Sequence, residues 1–275
     1  SETNSGEATE FVTPTQTKPY VLMVVGVNGV GKTTTIGKLA HHYFNSKNIE
    51  IIFIARGEMA DAINKKGLWL DSNDTSYKCV PTLTSNNPIE IGVIDILIVC
   101  TKNFSVEDVL KKYSKNITSN STVITTQNTV NGKETITPYL PVGATLMEGS
   151  IYIASNIVKP GRIEHVSGPA KLIFGTDGED NRKGEEIAEI LNDASIDTIY
   201  TTNIKSVLWK KFMFVSPAAI VTAIFQITFS EILETTKSEY LFINLISELM
   251  QLATAKKIDI DDNTVLNNMN LLGNF

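Results

Sequence analysis

Residues 20–33 read YVLMVVGVNGVGKT, an apolar run that leads directly into a glycine-rich loop. The run Tyr20–Val25 is predicted to form a β-strand, and residues 32–46 are predicted to form a helix. A glycine loop between a strand and a helix directs backbone N–H groups and the helix N-terminus at a phosphate. This stretch therefore predicts an α/β protein that binds a nucleotide.

The rest of the chain continues the alternation of apolar runs and helical patterns. Strands are predicted at residues 49–55, 94–100, 122–126 and 197–201, and helices at 59–66, 105–115, 182–194 and beyond 204. Apolar strands of this kind are typical of a parallel sheet covered on both faces. Glycine-punctuated strands between residues 142 and 174 indicate an antiparallel extension. The predicted fold class is α/β: a Rossmann-type parallel-sheet domain followed by a smaller all-helical domain.

Charge and cysteine content narrow the class of protein. The formal net charge is −6, which disfavours a nucleic-acid binder because phosphate contacts need clustered Lys and Arg. The two cysteines imply no disulfide framework, so a cytoplasmic protein is expected, with Cys100 as a buried thiol. Residues 1–18 are rich in Ser, Thr and Glu, and they are predicted to be a disordered tail rather than a secretory signal.

One segment bears on membrane association. Residues 212–229 form an 18-residue run without a charged side chain, which is at the short end for a membrane span. The run contains Pro217 and Gln226, and charged residues flank it closely. A buried core helix is therefore predicted, with a membrane span as the alternative, and no membrane partner is expected.

The glycine loop fits two phosphate-binding patterns. Residues 26–33 match G-x-x-x-x-G-K-[ST], in which Lys32 faces the phosphates and Thr33 ligates Mg²⁺. The same residues fit G-x-G-x-x-G with Asn28 in place of the second glycine, where a dinucleotide pyrophosphate approaches the backbone. Cofactor binding is assigned to one set of loop residues: Gly26, Asn28, Gly29, Val30, Gly31 and Lys32.

The loop resembles one family and the rest of the chain another. Residues 18–40 resemble the P-loop of the signal recognition particle receptor GTPases, although the guanine-recognition motif of those proteins is missing. From residue 49 onward the sequence resembles the ketopantoate reductases (2-dehydropantoate 2-reductases). Three segments carry this resemblance: DILIVCTK at 95–102, the Gln127-Asn128 turn and LWKKF at 208–212. The chain resembles a mosaic of a GTPase-like loop and a reductase body.

The resemblance to the reductases implies NADPH-dependent reduction of ketopantoate, or a related 2-keto acid, to the 2-hydroxy acid. It assigns Lys211 as the general acid, since an ammonium can protonate the developing alkoxide and attract the substrate carboxylate. The alternative is a solvated lysine, as Lys210 is expected to be. Asn128 and Lys102 each follow a predicted strand, where loops line a ligand crevice and could hold cofactor or substrate. The alternative for both is an ordinary polar loop residue.

The residue after the second predicted strand bears on the choice of cofactor. NAD enzymes tend to place an acid in this region, whereas Arg56 suits the 2′-phosphate of NADPH. The alternative is a surface ion pair between Arg56 and Glu58. The three histidines have no metal-ligand spacing with other candidate ligands, so no metal site is predicted.

Several departures from the family leave more than one function open. One and two turns after Lys211, where family members carry Asn facing the substrate, the chain has Val215 and Ala219. The family's C-terminal Ser and Glu contacts would lie beyond Phe275, so the helical domain is expected to be truncated. The domains are predicted at 19–200 for the dinucleotide and at 201–275 for substrate binding or a homodimer. Two alternatives to the reductase stay open: a P-loop protein that binds GTP or ATP, and a dinucleotide-binding protein with impaired catalysis.

Overall fold

The computed structural model describes residues 20–26, 49–72, 75–178, 181–261 and 263–272. Its strands are β1 (Tyr20–Val25), β2 (Ile49–Ile54), β3 (Leu68–Ser72), β4 (Thr75–Cys79), β5 (Leu83–Thr84), β6 (Ile94–Val99), β7 (Ile117–Thr125), β8 (Thr145–Lys159), β9 (Arg162–Gly175) and β10 (Thr198–Thr201). Its helices are α1 (Gly57–Lys66), α2 (Pro88–Ile91), α3 (Val106–Lys112), α4 (Gly132–Ile136), α5 (Arg182–Asp193), α6 (Ile204–Phe225), α7 (Thr236–Ala255) and α8 (Thr264–Leu272).

The described strands form one sheet in the order β4-β3-β9-β8-β7-β6-β1-β2-β5, and β10 pairs with β9. β1 lies between β2 and β6 and is parallel to both. Along the chain, β2 is placed on one side of β1, and β6 and β7 are then placed on the other side. This reversal creates a topological switch point between β1 and β6. The predicted Rossmann-type sheet followed by a helical domain is confirmed.

Alternate residues of the central strands supply two hydrophobic cores. Ile51 and Phe53 point into one core, which α1 and α5 cover, while Ile52 and Ile54 point into the other, which α3 and α4 cover. Burial on both faces explains why the strand sequences are apolar at nearly every position. Cys100, which directly follows β6, is a buried thiol as predicted.

The sheet extends further than the sequence indicated. The strand-like pieces after residue 142 join into one antiparallel hairpin, β8–β9, whose first strand also pairs in parallel with β7. The short strands β3, β4 and β5 were not predicted. The helix predicted at residues 105–115 is shorter, because a 3₁₀ turn, Asn103–Ser105, leads into α3.

The C-terminal helices pack around the long apolar helix α6. By length and composition, α6 is the one helix among the described residues that could cross a membrane, with a hydropathy of 1.5. Its buried face joins a core with α7 and α8 that includes Phe214, Val221, Phe242 and Ile246. We interpret α6 as the core helix of the helical domain, in agreement with the prediction.

Candidate active site

Four residues singled out in the sequence follow parallel strands at the same edge of the sheet. Val25, the last residue of β1, is in register with the last residues of β2 and β6. β6 is in turn in register with the end of β7. The carboxyl ends of these strands therefore lie side by side. The residues that follow them share this edge, and they are Gly26, Arg56, Lys102 and Asn128.

Gly26 forms a narrow cradle at the switch point. Its φ of +117° is one that residues with a side chain rarely adopt. A Cβ at this position would lie 2.7 Å from the carbonyl carbon of Cys100 and 2.8 Å from the backbone N of Thr101. Close approach to the β6 backbone thus requires glycine, as a backbone site for a pyrophosphate does. The buried Thr101 Oγ1 has no hydrogen-bond partner among the described residues, which fits a polar ligand at this edge.

A buried amide fixes the end of β7 against the end of β6. Gln127 Nε2 donates to the carbonyl oxygens of Val99 and Thr101 at 3.0 Å each, and its Oε1 accepts from the Thr126 N–H at 3.1 Å. The next residue, Asn128, is exposed. Gln127 therefore holds the turn that presents Asn128 at the edge. The sequence identified Gln127 only as part of a motif.

A cavity of about 410 Å³ lies beside Asn128. The other lining residues come from one face of α6: Phe212, Val215, Ser216, Ala219, Ile220 and Ala223. Val215 and Ala219, one and two turns after Lys211, are both in this lining. The cavity has the size of a small-molecule site.

Lys211 is held against the strand β8. Its Nζ donates to the carbonyl oxygen of Ile151 at 2.5 Å and lies 4.9 Å from the centroid of the Tyr152 ring. Thr125 and Glu148 are paired in the β7–β8 register, so Asn128 and Ile151 each lie three residues beyond that pair. The ammonium is therefore fixed near the edge that carries Asn128. Lys211 is half-buried, whereas the neighbouring Lys210 is exposed.

The remaining predicted site residues within the described ranges lie at the surface. Arg56 is exposed at the start of α1, and Lys102 is exposed just before the 3₁₀ turn that leads into α3. Five of the predicted cofactor ligands lie outside the described residues: Asn28, Gly29, Val30, Gly31 and Lys32. Within the described ranges, no three His, Cys, Asp or Glu side chains are grouped so that they could hold a metal ion.

A buried carboxylate near the edge was missed by the sequence analysis. Glu148, 8% exposed, lies at the start of β8 and accepts a hydrogen bond of 3.1 Å from the backbone N of Lys133. Burial raises the pKa of the Glu148 carboxyl, and the bond from Lys133 opposes this shift. The contact anchors α4 to β8 and so fixes the far end of the loop that begins at Asn128. A single Glu within a strand has no pattern that predicts this role.

A glycine cradle at the switch point of a parallel sheet, with a cavity beside Asn128 at the same edge, defines a Rossmann-type nucleotide-binding protein. Residues 22–178 match the family model "Ketopantoate reductase PanE/ApbA", and residues 203–273 match the model of that family's C-terminal part. The chain belongs to the ketopantoate reductase family. The members of this family are NADPH-dependent oxidoreductases.

Individual proteins agree with the family assignment. The crystal structure of 2-dehydropantoate 2-reductase from Porphyromonas gingivalis W83 is 26% identical, with a TM-score of 0.85, over 94% of this chain and 89% of that chain. The 2-dehydropantoate 2-reductase of Pyrococcus horikoshii is 25% identical over 87% of this chain and 76% of its own length. An uncharacterized oxidoreductase of Bacillus subtilis is also 25% identical, over 87% of this chain and 76% of its own.

The resemblance to GTPases is local. The signal recognition particle receptor FtsY of Haemophilus influenzae is 45% identical over 58 residues, which is 20% of this chain and 14% of that protein. The reductase model, in contrast, covers the glycine loop as well as the strands after it. Family membership thus supports reduction of a 2-keto acid with NAD(P)H, and it favours neither a GTP- or ATP-binding function nor impaired catalysis.

Proposed function

We propose that this protein reduces ketopantoate, or a related 2-keto acid, to the 2-hydroxy acid with NADPH, in the cytoplasm. The observation that carries the proposal is the position of the Lys211 ammonium. The Ile151 carbonyl holds it near the sheet edge where Asn128 borders the cavity. An amide in the cavity wall, and a fixed cation next in the chain to the lining residue Phe212, suit a substrate with a carboxylate and a neighbouring carbonyl.

Lys211 acts as the general acid in this proposal. Reduction at C2 places negative charge on the C2 oxygen, and a nearby ammonium stabilises that charge and then donates a proton to it. An ammonium carries three N–H donors, so Lys211 can bond to Ile151 and also donate to a substrate oxygen. The Tyr152 ring provides a second contact that holds the charge in position. Asn128 orients the substrate or the nicotinamide-side ribose.

The cofactor would lie across the carboxyl edge of the sheet. Bound NADPH would supply the hydride that reduces the C2 carbonyl, leaving NADP⁺. The Gly26 cradle and the Thr101 hydroxyl, which has no hydrogen-bond partner in the described part of the chain, fit a pyrophosphate-bridged ligand at the switch point. Lys102 and Arg56 would contribute positive charge there, with Arg56 directed to the 2′-phosphate. The loop residues Asn28 to Lys32 would complete the phosphate site.

Ligand titration tests this proposal. A ligand that binds only the native state raises the free energy of unfolding by about 2.7 kcal/mol at 100 times its Kd. NADPH should therefore raise the melting temperature, and GTP with Mg²⁺ should not. Loss of reduced-nicotinamide absorbance on addition of a 2-keto acid then reports turnover. Stabilisation by GTP alone, or NADPH binding without turnover of any 2-keto acid, would overturn the proposal.

A further inference from the structure

Glu148 lies close to the Asn128 turn, although it belongs to the next strand. It is paired with Thr125, the last residue of β7, and Asn128 follows Thr125 by three residues. An extended residue spans about 3.3 Å and neighbouring strands are about 4.8 Å apart, so the Cα atoms of Glu148 and Asn128 are within about 15 Å of each other. A charge on Glu148 is therefore near enough to act on an anion bound beside Asn128.

The Glu148 carboxyl is packed against the backbone at the far end of the loop that carries Asn128. Its Oε1 accepts from the backbone N of Lys133 at 3.1 Å, and a Cβ on Gly132 would lie only 2.6 Å from the same oxygen. Gly132 is itself buried, so the carboxyl is covered by the chain at this point. The geometry leaves Glu148 in contact with the loop and largely shielded from water.

The charged groups around this carboxyl come from two helices and compensate its charge poorly. α4 contributes Lys133 and Glu134, and α6 contributes Lys205, whose Nζ is paired with Asp177 at 2.8 Å. No cation within the described ranges forms an ion pair with Glu148. Burial raises the pKa of the Glu148 carboxyl and the charge of Glu134 adds to this, while the Lys133 N–H and the two ammonium groups oppose it. Another anion nearby would disfavour the ionised form further.

We propose that binding of the anionic substrate is coupled to the uptake of one proton by Glu148. This inference rests on the proposed function and adds a residue that acts on substrate affinity without touching the substrate. A 2-keto acid brings a carboxylate to the crevice beside Asn128, and a proton taken from solvent neutralises the Glu148 carboxylate that repels it. The neutral carboxyl retains an oxygen that accepts from Lys133, so the loop stays anchored.

The coupling determines the sign of the pH dependence. Below the pKa that Glu148 has in the substrate-free protein, the carboxyl is already protonated and the affinity for substrate is highest. Above that pKa each binding event takes up a proton, and the Kd rises with pH until it levels off above the pKa in the complex. Two unit charges about 12 Å apart, at an effective dielectric constant of about 20, change an affinity on the order of 10-fold, which is the expected height of the step.

Calorimetry of the protein saturated with NADP⁺ tests the coupling, because the oxidised cofactor cannot reduce the ketopantoate that is titrated in. Titrations in two buffers of different ionisation enthalpy give the number of protons taken up per ketopantoate bound. Between about pH 5 and pH 8, above the ordinary range of a glutamate, we expect uptake that approaches one proton and a Kd that rises about 10-fold. A Kd without pH dependence, or binding without proton uptake, overturns the inference.

Neutral variants identify the group that takes up the proton. Glu148→Gln keeps an acceptor for Lys133, so near pH 8 it should bind ketopantoate about 10-fold more tightly than the unmodified protein, without proton uptake. Loss of a merely structural contact would weaken binding instead. Glu134→Gln is the matched control, because it removes an exposed carboxylate of the same cluster and should retain the uptake. Glu148→Met is a second neutral variant should Glu148→Gln not fold, and uptake that persists in either variant overturns the inference.

The outcomes separate this inference from the proposed function. If no 2-keto acid is reduced, the proposed function fails and the inference fails with it. Reduction of a 2-keto acid whose binding takes up no proton leaves the proposed function standing and removes only the inference. If the turnover assay selects a 2-keto acid other than ketopantoate, that compound replaces ketopantoate in the titrations.

Discussion

Lys211 donates a hydrogen bond of 2.5 Å to the carbonyl oxygen of Ile151, which joins the first half of α6 to β8, the first strand of the β8–β9 hairpin. The bond connects the helical part of the chain to the sheet at the level of the Asn128 turn. It also restricts a long, flexible side chain whose charge would otherwise move freely in solvent. A general acid has to be held within hydrogen-bonding reach of the atom that it protonates.

Substitution of Lys211 should affect turnover more than cofactor binding. Lys211→Met removes the ammonium and retains the unbranched chain, so kcat should fall by about 10²–10⁴-fold. The Kd for NADPH, measured by fluorescence titration, should stay within a few fold. Lys210→Met is the matched control, because Lys210 is adjacent and exposed. Equal loss of kcat in both variants, or a parallel loss of NADPH affinity in Lys211→Met, would contradict the assigned role.

Arg56 should determine the preference between the two nicotinamide cofactors. A hydrogen bond to a charged group contributes about 1.5–3 kcal/mol, so Arg56→Ala should lower the NADPH-to-NADH ratio of kcat/KM by at least ~10-fold. Arg56→Lys retains the charge without the planar guanidinium and should give an intermediate ratio. If Arg56→Ala has the ratio of the unmodified protein, the 2′-phosphate is bound elsewhere.

Gly26 should tolerate no side chain. Gly26→Ala places a Cβ 2.7 Å from the Cys100 carbonyl carbon and also strains the backbone, so both stability and NADPH affinity should fall. Gly92→Ala is a control for backbone strain alone, because Gly92 has a φ of +71° with no atom near its Cβ position. The Gly92→Ala substitution should lower the free energy of unfolding by about 1–3 kcal/mol, without an effect on cofactor binding. NADPH affinity that survives in Gly26→Ala would remove the cradle from the binding site.

Gln127 should contribute both to the stability of the fold and to substrate binding at the site. Gln127→Leu breaks the bonds to Val99 and Thr101 and should lower the free energy of unfolding by about 1–3 kcal/mol. Asn116→Leu is a matched change, because the buried Asn116 amide also bridges two carbonyl oxygens, those of Pro88 and Gly92. Chemical denaturation should show similar losses in both variants. Only Gln127→Leu should have a raised KM for the 2-keto acid. An equal KM in both variants would mean that the turn that presents Asn128 does not depend on Gln127.

The Glu148 carboxyl should make stability depend on pH. Because burial raises the pKa of the Glu148 carboxyl above its ordinary value, the folded protein binds this proton more tightly than the unfolded chain. Its contribution to stability is therefore largest below the unfolded pKa and decreases as the pH rises through the raised folded pKa. Glu148→Gln keeps an acceptor for Lys133 and removes this titration, so its melting temperature should decline less across that window. A parallel decline in both proteins would refute the assignment.

Much of the sheet could be predicted because its central strands are local, apolar segments separated by turn residues. The strands β3 and β4 could not be predicted, because they are short and partly polar and because β3 pairs with a strand that is distant in the sequence. Asp71 of β3 pairs with Arg162 of β9 at 2.6 Å, 91 residues further along the chain. The hydrophobic pattern of a segment carries no information about a partner at that distance.

The candidate site also contains residues that the sequence predicts and contacts that it does not. The positions of Lys102 and Asn128 at one edge follow from parallel strands, whose carboxyl ends always face the same side. The acceptor for Lys211 is a backbone carbonyl, which any residue type provides, so nothing in the sequence marks Ile151. Nothing in the sequence marks Glu148 as a buried carboxyl either. The contributions of Asn28 to Lys32 stay predictions, because these residues lie outside the described structure.

The hairpin β8–β9 has two halves with different tolerance to change in length. Pairing is regular from Glu148 with Gly175 to Tyr152 with Lys171, and it shifts three times beyond Tyr152. The turn that follows is held by other elements, because Gly161 donates to the Met59 sulfur and accepts from Trp69 N, and Arg162 begins the pairing with β3. A residue inserted between Tyr152 and Lys159 should therefore leave the Ile151 carbonyl in place, whereas one inserted at Pro160 or Gly161 would disrupt the contacts with α1 and β3.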